Sequence, residues 1–153
     1  MVMNIFSKLI FKIKQRLLNY INKSTTPNYL FKIFFNIDSH KTLKKVRSKN
    51  NLFIIEQTFN NSSISWSFPY SLKQRGRKCY LNGLEIRAKQ IYEDYLLKNF
   101  EFENNDLVID CGANFGDLYL YLNSLSLKIN YFGIEPGIKE FEALTYNTQK
   151  NKS

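Results

Sequence analysis

The feature that most constrains the fold of this chain is a short apolar run that leads into a glycine-containing turn. Residues 106–117 read DLVIDCGANFGD, in which residues 107–109 are apolar and Gly112 and Gly116 follow. Residues 118–122 then read LYLYL. The pattern predicts a strand, a glycine turn and a helix, the unit from which parallel α/β sheets are built. Because ligands bind where the strands of such sheets end, the turn is the candidate binding site.

The spacing of the glycines excludes two common phosphate sites. A dinucleotide fingerprint needs Gly-x-Gly-x-x-Gly, whereas three residues separate Gly112 from Gly116. A P-loop needs Lys and then Ser or Thr after its last glycine, and Asp117 and Leu118 stand there instead. The carboxylate of Asp110, just before the turn, would repel a pyrophosphate and attract a cation. We therefore expect the turn to bind the amino or sulfonium end of an amino-acid-like ligand.

A second apolar run ends in an acidic residue 25 positions after Asp110. Residues 130–134 read NYFGI and predict a strand, followed by Glu135 and by Pro136, which helps to end it. A carboxylate at this position can accept hydrogen bonds from both hydroxyls of a ribose, as the acidic residue about 20 positions after a Rossmann turn does. A further helix is predicted to run to Asn151. One side of this helix holds Phe141, Leu144 and Thr145.

Together these residues resemble the FkbM family of S-adenosylmethionine-dependent methyltransferases. The resemblance covers residues 85–153 and rests on VIDCGANFG at 108–116 and FGIEP at 132–136. Four positions of the last helix also match the family: Phe141, Leu144, Asn147 and Asn151.

The resemblance implies an α/β fold with a partial Rossmann-like class I methyltransferase sheet. We expect a basic helical region and a short β-hairpin to precede this sheet. It implies S-adenosyl-L-methionine as the cofactor and O-methylation of a sugar or other small metabolite as the reaction. The residues implied to bind the methionine moiety of the cofactor are Asp110, Gly112, Ala113, Asn114 and Gly116. Glu135 is implied to bind its ribose, and no metal is expected.

The resemblance also implies that much of the domain is absent from these residues. A sheet of this class has several more strands than the two predicted here, so no catalytic residue can be named. We expect unpaired backbone edges on both strands, with residues 52–68 as one candidate to cover an edge. We interpret the chain as truncated, or as one member of a pair whose partner is the missing C-terminal half. It should bind cofactor weakly and turn over no substrate alone.

Charge divides the chain into a basic N-terminal region and a nearly neutral remainder. Residues 1–50 hold eleven Lys and Arg against one acid, a net charge of +10, and residues 51–153 hold eleven against twelve, a net charge of −1. We divide the chain into a basic amphipathic helical region (1–50), short strands with a connector (51–83) and the N-terminal part of the cofactor-binding domain (84–153). The positive charge favours an anionic partner for the first region.

The first 23 residues have an amphipathic helical pattern. Apolar side chains recur at three- and four-residue spacing, at Phe6, Leu9, Ile10, Ile13, Leu17 and Ile21. Because amphipathic helices mostly pack against their own domain, we favour that interpretation. One alternative is a non-enzymatic membrane-surface or interaction module, in which residues 1–23 lie on an anionic membrane. Another is an RNA methyltransferase whose basic aromatic region grips phosphates and stacks bases, although nucleic acid is the less favoured partner.

The middle of the chain predicts short strands and a helix. Residues 52–55 and 63–68 are rich in β-formers and predict a hairpin around a turn at 60–62. Residues 73–78 read KQRGRK and predict an exposed loop with solvated charges, and contact with a phosphate-bearing substrate is the alternative. A helical pattern begins at Leu84.

Cysteine and histidine are too few for several kinds of site. Two cysteines, Cys79 and Cys111, and the single His40 exclude a disulfide-rich scaffold and a closed four-ligand zinc site. Both cysteines are interpreted as small buried apolar residues. The N-terminal segment lacks the unbroken apolar core of a signal peptide, and no run of 18 apolar residues occurs. These features favour a cytoplasmic location, with the inner membrane face as a place for the basic region.

Overall fold

The structure is a computed structural model that describes residues 12–13, 15–17, 19–20, 27–38, 43–59, 62–125 and 127–151. In chain order its elements are α1 (Asn28–Asp38), β1 (Leu43–Lys49), β2 (Leu52–Phe59), β3 (Ser62–Pro69), α2 (Lys73–Tyr80), α3 (Leu84–Asp94), β4 (Leu107–Cys111), α4 (Asp117–Leu122), β5 (Asn130–Ile134) and α5 (Ile138–Lys150). The architecture is mixed α/β. It combines an antiparallel sheet of order β1-β2-β3 with a parallel pair, β4-β5.

The predicted hairpin is confirmed as β2 and β3, which pair antiparallel with Phe59 opposite Ser62. β1 adds a third strand that we did not predict. Its sequence, LKKVRSK, is dominated by basic residues, and Val46 is the one buried side chain among those described in it. Asn50 and Asn51 join β1 to β2 with φ angles of 48° and 61°, the left-handed pair that a two-residue hairpin turn requires. Part of the predicted helical N-terminal region is therefore a strand.

The core contains a continuous group of aromatic side chains that reaches the glycine turn. Phe53 of β2 and Phe68 of β3 are fully buried neighbours, with ring centroids 5.4 Å apart. Phe31 of α1 packs on this pair, 4.7 Å from the Phe53 ring. Tyr80 lies 5.8 Å from Phe68 and 6.4 Å from Phe115, which belongs to the turn. Because protein interiors are close-packed, this group holds the turn against the antiparallel sheet.

Residues 73–78 lie in helix α2 and not in the exposed loop that we predicted. A Cβ atom at Gly76 would overlap the ring of Phe68, so the missing side chain is what lets the helix approach the sheet. Locally, a glycine within a basic run signals a loop, whereas the packing of this glycine against the preceding strand leaves no such signal. Arg75 of this helix is exposed. The helix predicted from Leu84 is confirmed as α3, which begins at that residue.

β4 and β5 lie side by side and parallel, with Asp110 opposite Gly133. One face of this pair is open to solvent, and four large apolar side chains on it are more than half exposed: Leu107, Ile109, Phe132 and Ile134. In the part of the chain that the structure describes, no other strand pairs with either one, and residues 52–68 pair within their own sheet. The expectation of unpaired edges is confirmed for these residues.

The cysteines do not lie where we predicted. Cys79 is only partly buried, and Cys111 is exposed at the end of β4. Because side chains alternate along a strand, Cys111 lies on the same open face as Ile109. The apolar character of β4 led to the prediction, but burial depends on whether its outer face is covered.

The described residues between 12 and 20 are helical and exposed. Ile13 and Leu17 are 58% and 43% exposed, and Lys12 and Arg16 are exposed beside them. The other apolar positions of the predicted amphipathic face lie outside the described residues: Phe6, Leu9, Ile10 and Ile21. Within the described segments, no helix has both the length and the apolar character needed to cross a bilayer.

Candidate functional site

The backbone between β4 and α4 takes the conformation that the glycine pattern predicted. Gly112 and Gly116 have φ angles of +84° and +86°, and Asn114 between them has a φ of +55°. This left-handed region costs little for glycine and is visited by asparagine more readily than by most residues. The chain therefore reverses direction between the strand and the helix through residues suited to that conformation.

The end of β5 holds this turn in place. The carbonyl oxygen of Ile134 accepts hydrogen bonds from the backbone N–H groups of Gly112, at 2.8 Å, and Ala113, at 3.0 Å. The Oε2 atom of Glu135 accepts a third from the backbone N–H of Asn114, at 2.8 Å. Three consecutive amides of the turn thus point toward β5. They are not directed at a bound anion, in agreement with the exclusion of a phosphate cradle.

Glu135 is partly buried, and both of its carboxylate oxygens are oriented by backbone donors. Its Oε1 atom accepts from the N–H of Gly137 at 2.8 Å, while Oε2 accepts from Asn114. A carboxylate has about four acceptor positions, so about two remain for hydroxyl groups of a ligand. The backbone bonds orient the carboxylate before any ligand arrives.

Asp110 lies one residue before the end of β4 and is held by a tyrosine on the neighbouring strand. Its Oδ2 atom accepts a hydrogen bond from the Tyr131 hydroxyl at 2.7 Å, and its Oδ1 atom has no partner among the described residues. Burial raises the pKa of Tyr131, and the hydrogen bond to Asp110 and the charge of Asp110 raise it further. Tyr131 is therefore a neutral donor that fixes the carboxylate and leaves Oδ1 for a cationic group.

The six residues predicted to bind a cofactor divide into two groups. In front of Gly112 the space is open, since a Cβ atom built there would meet no atom within 4 Å. Gly116 instead packs into the core, where a Cβ atom would come within 3.0 Å of Leu144 Cδ1, and Ala113 is buried. The other three are partly exposed at the carboxyl end of the strands: Asp110, Asn114 and Glu135.

Arg75 also reaches the turn, although we did not predict it among the cofactor-binding residues and considered its segment only as an alternative contact for a phosphate-bearing substrate. The Asn114 amide is oriented with its oxygen toward the guanidinium, because its NH₂ group would otherwise face N–H donors. In this orientation Oδ1 accepts from Nη1 at 3.1 Å and also from Nη2. Arg75 Cζ lies 5.3 Å from the centroid of the Phe115 ring, within cation–π range. The basic segment was visible in the sequence, but its position beside the turn was not.

Behind the turn, Asp117 joins three helices through a hydrogen-bond network. Its Oδ1 atom accepts from the Tyr80 hydroxyl at 2.6 Å, and Oδ2 accepts from Arg87 Nη2 at 2.6 Å and Nε at 3.2 Å. Burial raises the pKa of Tyr80, and the charge of Asp117 and its hydrogen bond raise it further. Burial lowers the pKa of Arg87, but the bond to Asp117 and its charge outweigh burial, so the net shift is upward. The only local signal for this network was an acid at the first residue of a helix.

An open cleft of about 370 Å³ lies elsewhere on the molecule, at the start of β5. Lys128 and Tyr131 contribute to its walls, and no carboxylate is among its lining residues. Among the described residues, no three or more His, Cys, Asp or Glu side chains gather as metal ligands would. The carboxyl end of β4 and β5 is therefore the stronger candidate site. Asp110 and Glu135 lie there, Arg75 contacts Asn114 of the turn, and open space lies in front of Gly112.

Comparisons of the chain with protein-family models, with curated proteins and with solved structures found no match. A functional conclusion for this chain rests on the geometry at the carboxyl end of β4 and β5. It rests equally on the motifs that supply the residues there.

Proposed function

We propose that the chain is the N-terminal part of an S-adenosylmethionine-dependent methyltransferase of the FkbM type, with a Rossmann-like class I sheet. The acceptor proposed is a hydroxyl group of a sugar or other small metabolite. One observation carries the proposal: the Glu135 carboxylate at the end of one parallel strand is bonded to the turn that follows its neighbour, through Asn114. In this proposal Glu135 is the acid that binds the ribose, and its hydrogen bond to Asn114 keeps it beside a glycine turn whose amides face β5.

The residues present suit this cofactor. Asp110 Oδ1 would accept from the ammonium group, and the remaining acceptor positions of Glu135 would accept from the ribose hydroxyls. The open space in front of Gly112 would admit the methionine moiety to the backbone. When bound, the cofactor supplies an electrophilic methyl group on sulfur. The chain's own contribution is to bind and orient the cofactor, and we assign no residue to proton removal from the acceptor.

For the isolated chain of 153 residues we expect weak cofactor binding and no turnover. The open face of β4 and β5 supports this expectation, because apolar side chains such as Ile109 and Phe132 are packed in the interior of a complete sheet. We therefore propose a C-terminal half as the partner that covers this face. Methyl transfer by the purified chain would overturn this part of it.

Titration of the purified chain with S-adenosylmethionine tests the proposal. Calorimetry should detect binding by the wild type, and Asp110→Ala and Glu135→Ala should each abolish it. Glu142→Ala is the matched control, because Glu142 is an exposed acid on α5. Circular dichroism of each variant separates loss of binding from loss of folding. A folded wild-type chain that binds no cofactor would refute the proposal.

A second proposed function is peripheral contact with an anionic membrane, at the cytoplasmic face. The supporting observation is that Ile13 and Leu17, four residues apart on a helix, are exposed beside the exposed cations Lys12 and Arg16. The chain should sediment with anionic vesicles and not with neutral ones. A Lys12→Glu, Arg16→Glu variant should lose that binding, and equal sedimentation of the variant would rule the function out.

A further inference from the structure

Arg75 is positioned at the candidate site but is not neutralised there. Its guanidinium contacts the Asn114 amide oxygen and the Phe115 ring, and both of these partners are uncharged. Two other arginines differ in this respect, since Arg87 pairs with Asp117 and Arg47 pairs with Glu56. Arg75 has no acidic partner among the described residues.

The contacts of Arg75 leave most of its hydrogen-bonding capacity available. A guanidinium carries five N–H donors, and the Asn114 oxygen accepts from one on each of two nitrogens, Nη1 and Nη2. The side chain is exposed, so the remaining donors can reach a ligand. Because the Phe115 ring and the Asn114 amide fix its position, less side-chain entropy is lost when an anion binds.

The charges at the site are complementary to an amino acid. Asp110 offers an oxygen without a partner, which suits an ammonium group, and Arg75 offers a planar fork of donors, which suits a carboxylate. Asn114 links the two sides of the site, since its backbone N–H binds Glu135 while its side chain binds Arg75. An α-amino acid presents both an ammonium and a carboxylate on one carbon.

We propose that Arg75 binds the carboxylate at the amino-acid end of the cofactor. The proposal rests on the proposed function and adds to it a contact that the family resemblance does not assign. Arg75 therefore determines specificity for ligands that carry this carboxylate. It binds the negative group of the amino acid, whereas Asp110 binds the positive one.

Two ligands that differ only in the carboxylate provide the test. S-adenosylmethionine and its decarboxylated form share the nucleoside, the sulfonium and the ammonium groups. NMR titration of the ¹⁵N-labelled chain measures both dissociation constants, weak ones included. The wild type should favour the carboxylate-bearing ligand by about 10- to 100-fold, the range expected for a charge-assisted hydrogen-bonded pair.

Substitutions assign that preference to a residue. Arg75→Gln should bind both ligands equally, at the wild-type affinity for the decarboxylated one, and Arg75→Lys should keep part of the preference. Lys78→Gln is the matched control, an exposed cation of the same helix, and should keep all of it. Asp110→Asn should lower the affinity for both ligands by the same factor, because both carry the ammonium group.

The outcomes separate this proposal from the one on which it rests. Failure of the folded wild type to bind either ligand would refute the proposed function and this contact together. If both ligands bind and the Arg75→Gln variant keeps the wild-type preference, the contact is refuted and the proposed function stands. Arg75 would then be available to bind an anionic methyl acceptor. If Arg75→Gln lowers the affinity for both ligands equally, the contact is also refuted, because a merely structural role of Arg75 has that effect.

Discussion

Asn147 of α5 and Ser67 of β3 form two hydrogen bonds. The Ser67 N–H donates to Asn147 Oδ1 at 2.6 Å, and Asn147 Nδ2 donates to the Ser67 carbonyl at 3.1 Å and to the Phe115 carbonyl at 2.7 Å. One helical turn later Asn151 repeats the pattern with Ser65, at 3.0 and 2.9 Å. β3 is an edge strand of its sheet, so two amide side chains satisfy backbone groups that would otherwise lack partners. These bonds join the antiparallel sheet to the site turn.

Asn147→Ala should destabilise the fold strongly. Asn147 is completely buried, and its removal leaves the backbone groups of Ser67 and Phe115 without partners. Three backbone groups lose their partners, and a buried unsatisfied group costs about 1–3 kcal/mol, so we expect a loss of at least about 3 kcal/mol in the free energy of unfolding. Urea denaturation measures it. Gln149→Ala, at an exposed position of the same helix, should change stability by less than about 0.5 kcal/mol.

Gly76→Ala should also destabilise, although alanine is the better helix former. The new methyl group would overlap the Phe68 ring, and forcing extra volume into a packed core costs about 1–3 kcal/mol. At an exposed helical position the same change would stabilise by up to about 1 kcal/mol. A double-mutant cycle checks the cause. In a Phe68→Leu background, where more room is available, Gly76→Ala should cost less, and an equal cost in both backgrounds would contradict the packing argument.

The two glycines of the turn should respond differently to alanine. Both have positive φ, which costs about 1–2 kcal/mol for a residue with a Cβ atom. At Gly116 the methyl group also comes within 3.0 Å of Leu144, so we expect a total of about 2–5 kcal/mol there. Gly112→Ala should leave the chain folded but lower its affinity for S-adenosylmethionine, because the methyl group of the alanine projects into the open space of the site. Thermal denaturation and ligand titration of both variants measure the difference.

Alkaline pH should destabilise the fold through Tyr131 and Tyr80. Burial and neighbouring carboxylates raise the pKa of both phenols above their ordinary value of 10.0. The folded state therefore holds these protons more tightly than the unfolded state. The resulting stabilisation is complete below about pH 10 and is lost as the pH rises above that value.

Urea denaturation at pH 8 and at pH 11 checks this prediction. The wild type should lose stability between the two values, and Tyr131→Phe should lose less, because it lacks one of the protected phenols. If the variant and the wild type lose the same amount, Tyr131 does not contribute to the alkaline sensitivity.

Much of the site was predictable because local patterns define it. The apolar run before Gly112 and the run before Glu135 each predict a strand, and the glycines predict the turn, since each signal depends on residues close in sequence. The parallel pairing of the two strands followed from their common pattern of strand, turn and helix. The sequence could not show that Gly116 and Ala113 face the core, because burial depends on what packs against the turn.

The errors in the fold have a common physical cause. β1 and α2 both lie in basic segments, which we assigned to the helical N-terminal region and to an exposed loop, respectively. Pairing of β1 with β2 and packing of Gly76 on Phe68 decided both structures instead. Propensities amount to tenths of a kcal/mol per residue, whereas tertiary contacts contribute more, so such segments follow their neighbours.

By itself, the sequence determined the strands β4 and β5, the turn between β4 and α4, and the position of Glu135 at the end of β5. Tertiary structure alone decided that Arg75 lies beside Asn114 and that Asn147 bonds to Ser67, 80 residues earlier in the chain. The reason lies in the range of the interactions. Strands and turns arise from dihedral preferences and from the periodicity of apolar residues, which a short segment displays in full. A hydrogen bond between distant residues depends on the packing of every element between them.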